Sequence, residues 1–195
     1  TLNQVRRYFK RHPECEVLVG NAYMTEIDFT PINHFVFTPE RLTFNYLLDY
    51  AKHHLIQPSV FFTRKAWDTA GPLDIHDHYA MDADLFIGMA KAYELHHIDN
   101  DIAYSVYHEA CKTRGARGES ITALALAQAK HGGFKESKET LNILVSLYKQ
   151  LEQDLESSSP SNAKVKALEV KFAAMDAHRI KQQELLLQLD LEQHP

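Results

Sequence analysis

The sequence is poor in cysteine, in glycine and in long apolar runs, and each shortage excludes a class of protein. Its only cysteines, Cys15 and Cys111, are too few for a disulfide framework and form no C-x-x-C pair. The seven glycines are too scattered to build a loop that cradles the phosphates of a nucleotide. No run approaches the roughly 18 apolar residues of a membrane-spanning helix, and the first residues lead into no secretory signal.

The composition that remains is that of a globular chain. Apolar residues make up 45% of the sequence and charged residues 24%, which is enough to bury a core. The net charge of -5 disfavours a nucleic-acid partner, because such binding needs a basic surface. Reduced cysteines and the lack of a spanning helix predict a cytoplasmic protein, either free or peripheral to the membrane.

The pattern of the chain changes near Glu119. Residues 1–118 mix short strands and helices, which predicts an α/β domain, and residues 119–195 form a helical extension. Strands are predicted at 16–20, 59–62 and 102–107, with a further extended piece at 22–29. Helices are predicted at 2–11, from Pro39 to about Tyr50, at 64–70 and at 80–93.

The extension reads as three helices, at 121–130, 136–156 and 163–192. The second helix carries a narrow stripe of apolar residues at spacings of three and four: Leu141, Leu144, Tyr148, Leu151 and Leu155. Turn-forming residues separate it from the third helix, so residues 136–192 are predicted to form a helical hairpin. The stripe fits either an intramolecular core or a surface for self-association.

Acidic and histidine side chains are the candidates for chemistry. Asp82 and Asp84 lie near the start of a predicted helix, where the helix dipole favours acids for structural reasons alone. Residues two apart point in different directions, so the two carboxylates are expected to have separate tasks. His76, His78, Asp82 and His108 supply a metal-ligand set of the type that zinc or manganese prefers, without any recognised zinc spacing.

The order of four segments is more informative than any single residue. They read QPSVFFTRKAW at 57–67, AGPLD at 70–74, YAMDADLF at 79–86 and HEACKT at 108–113. In this order, with these gaps, they resemble the acceptor half of inverting family 2 glycosyltransferases of the GT-A fold. The resemblance covers about residues 1–118.

The resemblance implies a role for each residue that matches the family pattern. Asp82 matches the general base that deprotonates the acceptor hydroxyl. Gln57, Arg64, Trp67 and Asp84 fall at acceptor-side positions, with Trp67 able to stack on a sugar. His108 matches a late histidine of the metal and diphosphate site. The implied cofactor is Mn²⁺ or Mg²⁺, and the implied substrates are a nucleotide-diphosphate sugar and a glycan, lipid or protein acceptor.

The sequence also departs from the family pattern. Met81 stands where the family usually has Glu, and Gly88 and Val106 stand where it has Arg. No DxD motif precedes Pro13, and the chain begins with Thr rather than Met. The resemblance therefore implies a partial GT-A fold, with its nucleotide-binding half upstream of Thr1 and no sugar transfer by this chain alone.

Two other functions remain open from the sequence. The first is a non-enzymatic interaction module that uses the helical hairpin 136–192. The second is a metal-dependent hydrolase that uses the histidine and aspartate set.

Overall fold

The computed structural model describes residues 1–108 and 116–157, with side chains of the last helix described as far as Asp154. The chain divides into two compact units, of which the second begins at Ala116. The first unit combines a four-stranded mixed sheet with several helices, which confirms the predicted α/β class. No helix of the described ranges is long and apolar enough to cross a membrane.

Strand β1 (Val17–Thr25) is the centre of the sheet. Its first six residues are all buried, as expected for a strand covered on both faces. Strand β4 (Leu95–Val106) runs parallel to it along its whole length on one edge. The other edge is shared by two short antiparallel strands, β3 (Val60–Phe62) at its start and β2 (Pro31–Phe35) at its end.

Helix α1 (Leu2–Arg11) covers one face of this sheet. Its Val5 joins Leu18 of β1 and Ile102 of β4 in one buried cluster, together with Cys15. Because side chains alternate along a strand, Val17 and Val19 point to the opposite face, and both are fully buried.

A shift in register interrupts the pairing of β1 with β4. Gly20 lies opposite Ile98, whereas Asn21 lies opposite Asp101, so β4 inserts extra residues at this point. The Asn21 side chain is buried at the irregularity. Its Nδ2 donates to Asp99 Oδ1 at 3.1 Å, and its Oδ1 accepts from the backbone N–H of Phe37 at 3.0 Å.

Short helices connect the strands and carry the candidate site. They are α2 (Phe44–Leu48), α3 (Tyr50–His53), α4 (Arg64–Ala70) and α5 (Met81–Ala92), with 3-10 turns at Pro39–Leu42 and Gln57–Ser59. Helix α4 begins where Thr63 Oγ1 accepts from Ala66 N at 3.2 Å, a normal N-cap. Helix α5 packs against both α2 and α4.

Several predicted boundaries were wrong. The helix predicted from Pro39 is broken into a 3-10 turn and two short helices. The extended piece predicted at 22–29 is not separate, because β1 continues unbroken to Thr25. Strand β4 begins at Leu95, seven residues before the predicted start at Ile102, and β2 was not predicted at all.

The second unit begins with two helices, α6 (Arg117–Lys130) and α7 (Phe134–Ser157), which pack against each other. Gly132 ends α6 in the left-handed conformation, with φ of 90°, which glycine adopts at low cost. Leu141 and Leu144 of the predicted stripe are buried, and Tyr148 and Leu151 are half-buried. The side chain of Leu155 and the predicted helix 163–192 lie outside the described residues.

Gly20 is expected to tolerate no side chain. A Cβ there would overlap the buried side chain of Ile102 and lie 3.2 Å from Ile98 Cγ2. Gly20→Ala should therefore lower the free energy of unfolding by about 1–3 kcal/mol, the usual cost of overpacking. Urea denaturation of the purified chain measures this change.

The matched control is the double variant Gly20→Ala with Ile102→Ala. Removing the overlapping atoms should make the combined loss smaller than the sum of the two single losses, by more than about 0.5 kcal/mol. Simple additivity of the two losses would show that the overlap is not the cause.

Candidate functional site

The first turn of α5 places Asp82 at the start of the helix. Asp77 Oδ1 accepts from the backbone N–H groups of Tyr79 and Ala80, both at 2.9 Å, and this turn leads the chain into α5. Asp82 Oδ1 then accepts from the backbone N–H of Ala83 at 2.8 Å. The carboxylate is thus held by the positive end of the helix backbone.

Burial dominates the electrostatics of Asp82. Desolvation raises the pKa of its carboxyl, the hydrogen bond from Ala83 opposes that rise, and the charge of Asp77 adds to it. A carboxylate whose pKa is raised toward the working pH accepts a proton more readily than an ordinary surface aspartate.

His54 and Tyr50 are the other groups in the electrostatic surroundings of Asp82. Tyr50 is buried, and desolvation followed by the charge of Asp82 raises the pKa of its hydroxyl well above the usual value. Desolvation lowers the pKa of His54, and the charge of Asp82 opposes that change. The imidazole packs against Phe35, with ring centroids 5.4 Å apart, although part of the residue stays exposed. Asp82 and His54 therefore each reduce the cost of charging the other.

A cleft of about 150 Å³ has His54 in its wall. One side of the cleft is the end of β2 and the segment that follows it. The other side is formed by the helices α2 and α3. Its lining residues are His34, Phe35, Val36, Phe37, Arg41, Tyr46, Lys52, His53 and His54. His54 is thus the residue common to the cleft and to the surroundings of Asp82.

Asp82 and the other residues predicted for the site all lie outside the lining of this cleft. Gln57 is exposed in its 3-10 turn, and Arg64 forms an exposed ion pair with Asp68 at 2.8 Å. Trp67 is half-buried and stacks on Phe62, with ring centroids 6.2 Å apart. The acceptor-side roles of these residues stay predictions.

Asp84 and His108 lie on different parts of the first unit. Asp84 is half-buried in the first turn of α5, two residues after Asp82. His108 is exposed and follows the end of β4.

The described residues contain neither a group of metal ligands nor a reactive cysteine. No three His, Cys, Asp or Glu side chains of the described ranges gather as metal ligands, so the predicted set of His76, His78, Asp82 and His108 does not converge. Burial raises the pKa of the Cys15 thiol to about 12, which leaves almost no thiolate at neutral pH.

The sequence reasoning missed the cleft. His53 and His54 are adjacent in the sequence, but adjacency alone does not predict that they line a cleft. The signal that could have found the cleft is the run His34-Phe35-Val36-Phe37, close in sequence to Arg41. An apolar run of this kind is typical of a strand, but it does not show which helix will face the strand.

No family model and no curated protein matches this chain. The resemblance to glycosyltransferases therefore rests on the order of the four segments alone.

Asp82→Asn is expected to stabilise the chain at neutral pH. Burial raises the folded-state pKa above that of the unfolded chain, so the wild-type free energy of unfolding falls as the pH rises through the folded-state pKa. Asparagine keeps an oxygen that can accept from Ala83 N and carries no charge. The variant should melt at a higher temperature at pH 7, and this advantage should vanish below the ordinary Asp pKa of 3.8.

Asp28→Asn is the matched control with the opposite sign. Hydrogen bonds from Thr30 lower the pKa of Asp28, so its carboxylate supports folding above the ordinary Asp pKa. This variant should melt at a lower temperature at pH 7. A fall in melting temperature for both variants at pH 7 would contradict the electrostatic account of Asp82.

Proposed function

We propose that residues 1–118 form the acceptor half of an inverting nucleotide-sugar glycosyltransferase, with Asp82 as the general base. The observation that carries the proposal is the desolvated carboxylate of Asp82, whose pKa is raised, at the start of α5 and electrostatically coupled to a residue of the cleft wall. The order of the four segments independently assigns the same residue the same role.

For sugar transfer, the Asp82 carboxylate must be ionised and must lie close to the acceptor hydroxyl. Asp82 accepts the proton of the acceptor hydroxyl as that oxygen attacks the anomeric carbon of the donor sugar. The bond from that carbon to the nucleoside diphosphate breaks, and the diphosphate leaves with the bonding electrons. Attack from the opposite side inverts the anomeric configuration. A base in this role contributes roughly 10²–10⁴-fold to the rate.

The proposal assigns supporting roles to nearby groups. Burial raises the pKa of Asp82, and the hydrogen bond from Ala83 N orients the carboxylate. His54 favours the charged form of Asp82 only when the imidazole is itself protonated. Gln57, Arg64, Trp67 and Asp84 remain the proposed outer contacts of the acceptor.

The divalent cation that the resemblance implies does not fit the described residues alone. His108 supplies one imidazole, and no group of three ligands gathers around it within the described ranges. We therefore derive no step through a cation.

The test is Asp82→Asn in the full-length transferase that carries both halves. A panel of nucleotide sugars, followed by release of the nucleoside diphosphate, first identifies the donor. With that donor, kcat for the variant should fall by roughly 10²–10⁴-fold, because the acceptor hydroxyl has lost its base. Because Asp82→Asn is expected to melt at a higher temperature than the wild type at pH 7, a loss of kcat in this variant cannot be attributed to misfolding.

Asp28→Asn is the control, because it removes a carboxylate from an exposed loop on the same unit. It should leave kcat unchanged. Near wild-type kcat for Asp82→Asn, in a correctly folded protein, would disprove the assignment of the base.

A further inference from the structure

The cleft that includes His54 has a charge pattern that sugar transfer alone does not explain. Five of its nine lining residues carry a cationic or imidazole side chain, and none carries a carboxylate. Arginine and lysine together in one small concave site favour an anionic ligand, and the arginine fork matches the oxygens of a phosphate.

The neutralising carboxylates lie outside the lining. Lys52 Nζ contacts Asp49 Oδ2 at 2.7 Å, and His34 Nε2 contacts Asp101 Oδ1 at 2.6 Å. Arg41 has no carboxylate partner among the described residues. Its exposed guanidinium is therefore the charge that an incoming anion can use without breaking an existing ion pair.

Three aromatic residues and Val36 form the rest of the cleft wall. Tyr46 and His53 stack with ring centroids 3.9 Å apart, and Phe35 meets His54 edge to face. Such paired rings are rigid, so they offer a preformed flat surface beside the cations. A ligand that has an anionic group and a ring with an apolar face uses both parts of the cleft.

The cleft is small and open to solvent. Its volume of about 150 Å³ accommodates a phosphate group with a single ring, and a larger ligand would extend beyond its walls.

We propose that this cleft binds a phosphorylated sugar, with the phosphate on Arg41 and the sugar ring against Tyr46. That this sugar is the acceptor rests on the proposed function, because only that function gives Asp82 an acceptor hydroxyl to deprotonate. The binding itself does not depend on catalysis.

The test is a titration of the isotope-labelled chain with glucose 1-phosphate, followed by amide chemical shifts in two-dimensional NMR. Saturable shifts should concentrate in residues 34–54. Arg41→Gln should weaken the binding by roughly tenfold or more, as expected for the loss of a charge-assisted hydrogen bond. Arg41 is exposed, so its replacement should not disturb the fold.

Arg11→Gln is the matched control, because it removes an exposed arginine from α1. It should leave the affinity unchanged. Glucose and inorganic phosphate, titrated separately, should each bind more weakly than glucose 1-phosphate.

Four results would overturn the proposal. They are the absence of saturable shifts at residues 34–54, unchanged affinity in Arg41→Gln, equal affinity for glucose, and equal affinity for inorganic phosphate. The first two would show that the cleft has no anion site at Arg41. Equal affinity for glucose would show that the phosphate does not contribute to binding, and equal affinity for inorganic phosphate would show that the sugar does not. Because no turnover is measured, these results stay separate from the loss of kcat that tests Asp82.

Discussion

The pairing of β1 with β4 across a shift in register is the constraint on which the first unit depends. β1 is buried over its first six residues and has hydrogen-bonded strands on both edges. Asn21 is a buried polar residue at the shift, and its amide needs hydrogen-bond partners. It finds them in the Asp99 side chain of β4 and in the backbone N–H of Phe37, which lines the cleft. One buried polar side chain thus fixes both the sheet and the wall of the candidate site.

The burial of Asp82 connects stability with function. A half-buried carboxylate whose pKa is raised by desolvation costs folding free energy at neutral pH, because its charged form is better solvated in the unfolded chain. The hydrogen bond from the backbone N–H of Ala83 reduces that cost without removing it. A partly buried carboxylate that opposes folding is a typical feature of a functional site.

Local sequence signals predicted well the elements that are governed by local chemistry. Helices α1, α4 and α5 match the predicted helices at 2–11, 64–70 and 80–93 closely. The beginning of β4 was missed because its polar stretch, which includes Asp99 and Asp101, pairs with β1 through long-range contacts. β2 was missed for a related reason, since four of its five residues are exposed and only pairing with β1 makes it a strand.

The amino-acid sequence alone determined the α/β class, the helical character of the second part and the choice of Asp82 as the candidate base. These depend on periodicity, capping and the order of motifs, which are properties of neighbouring residues. The tertiary structure decided the cleft, because its lining joins the end of β2 and the following segment to the helices α2 and α3. It also decided the raised pKa of Asp82, since desolvation depends on which elements cover a side chain and not on the residues beside it in the chain.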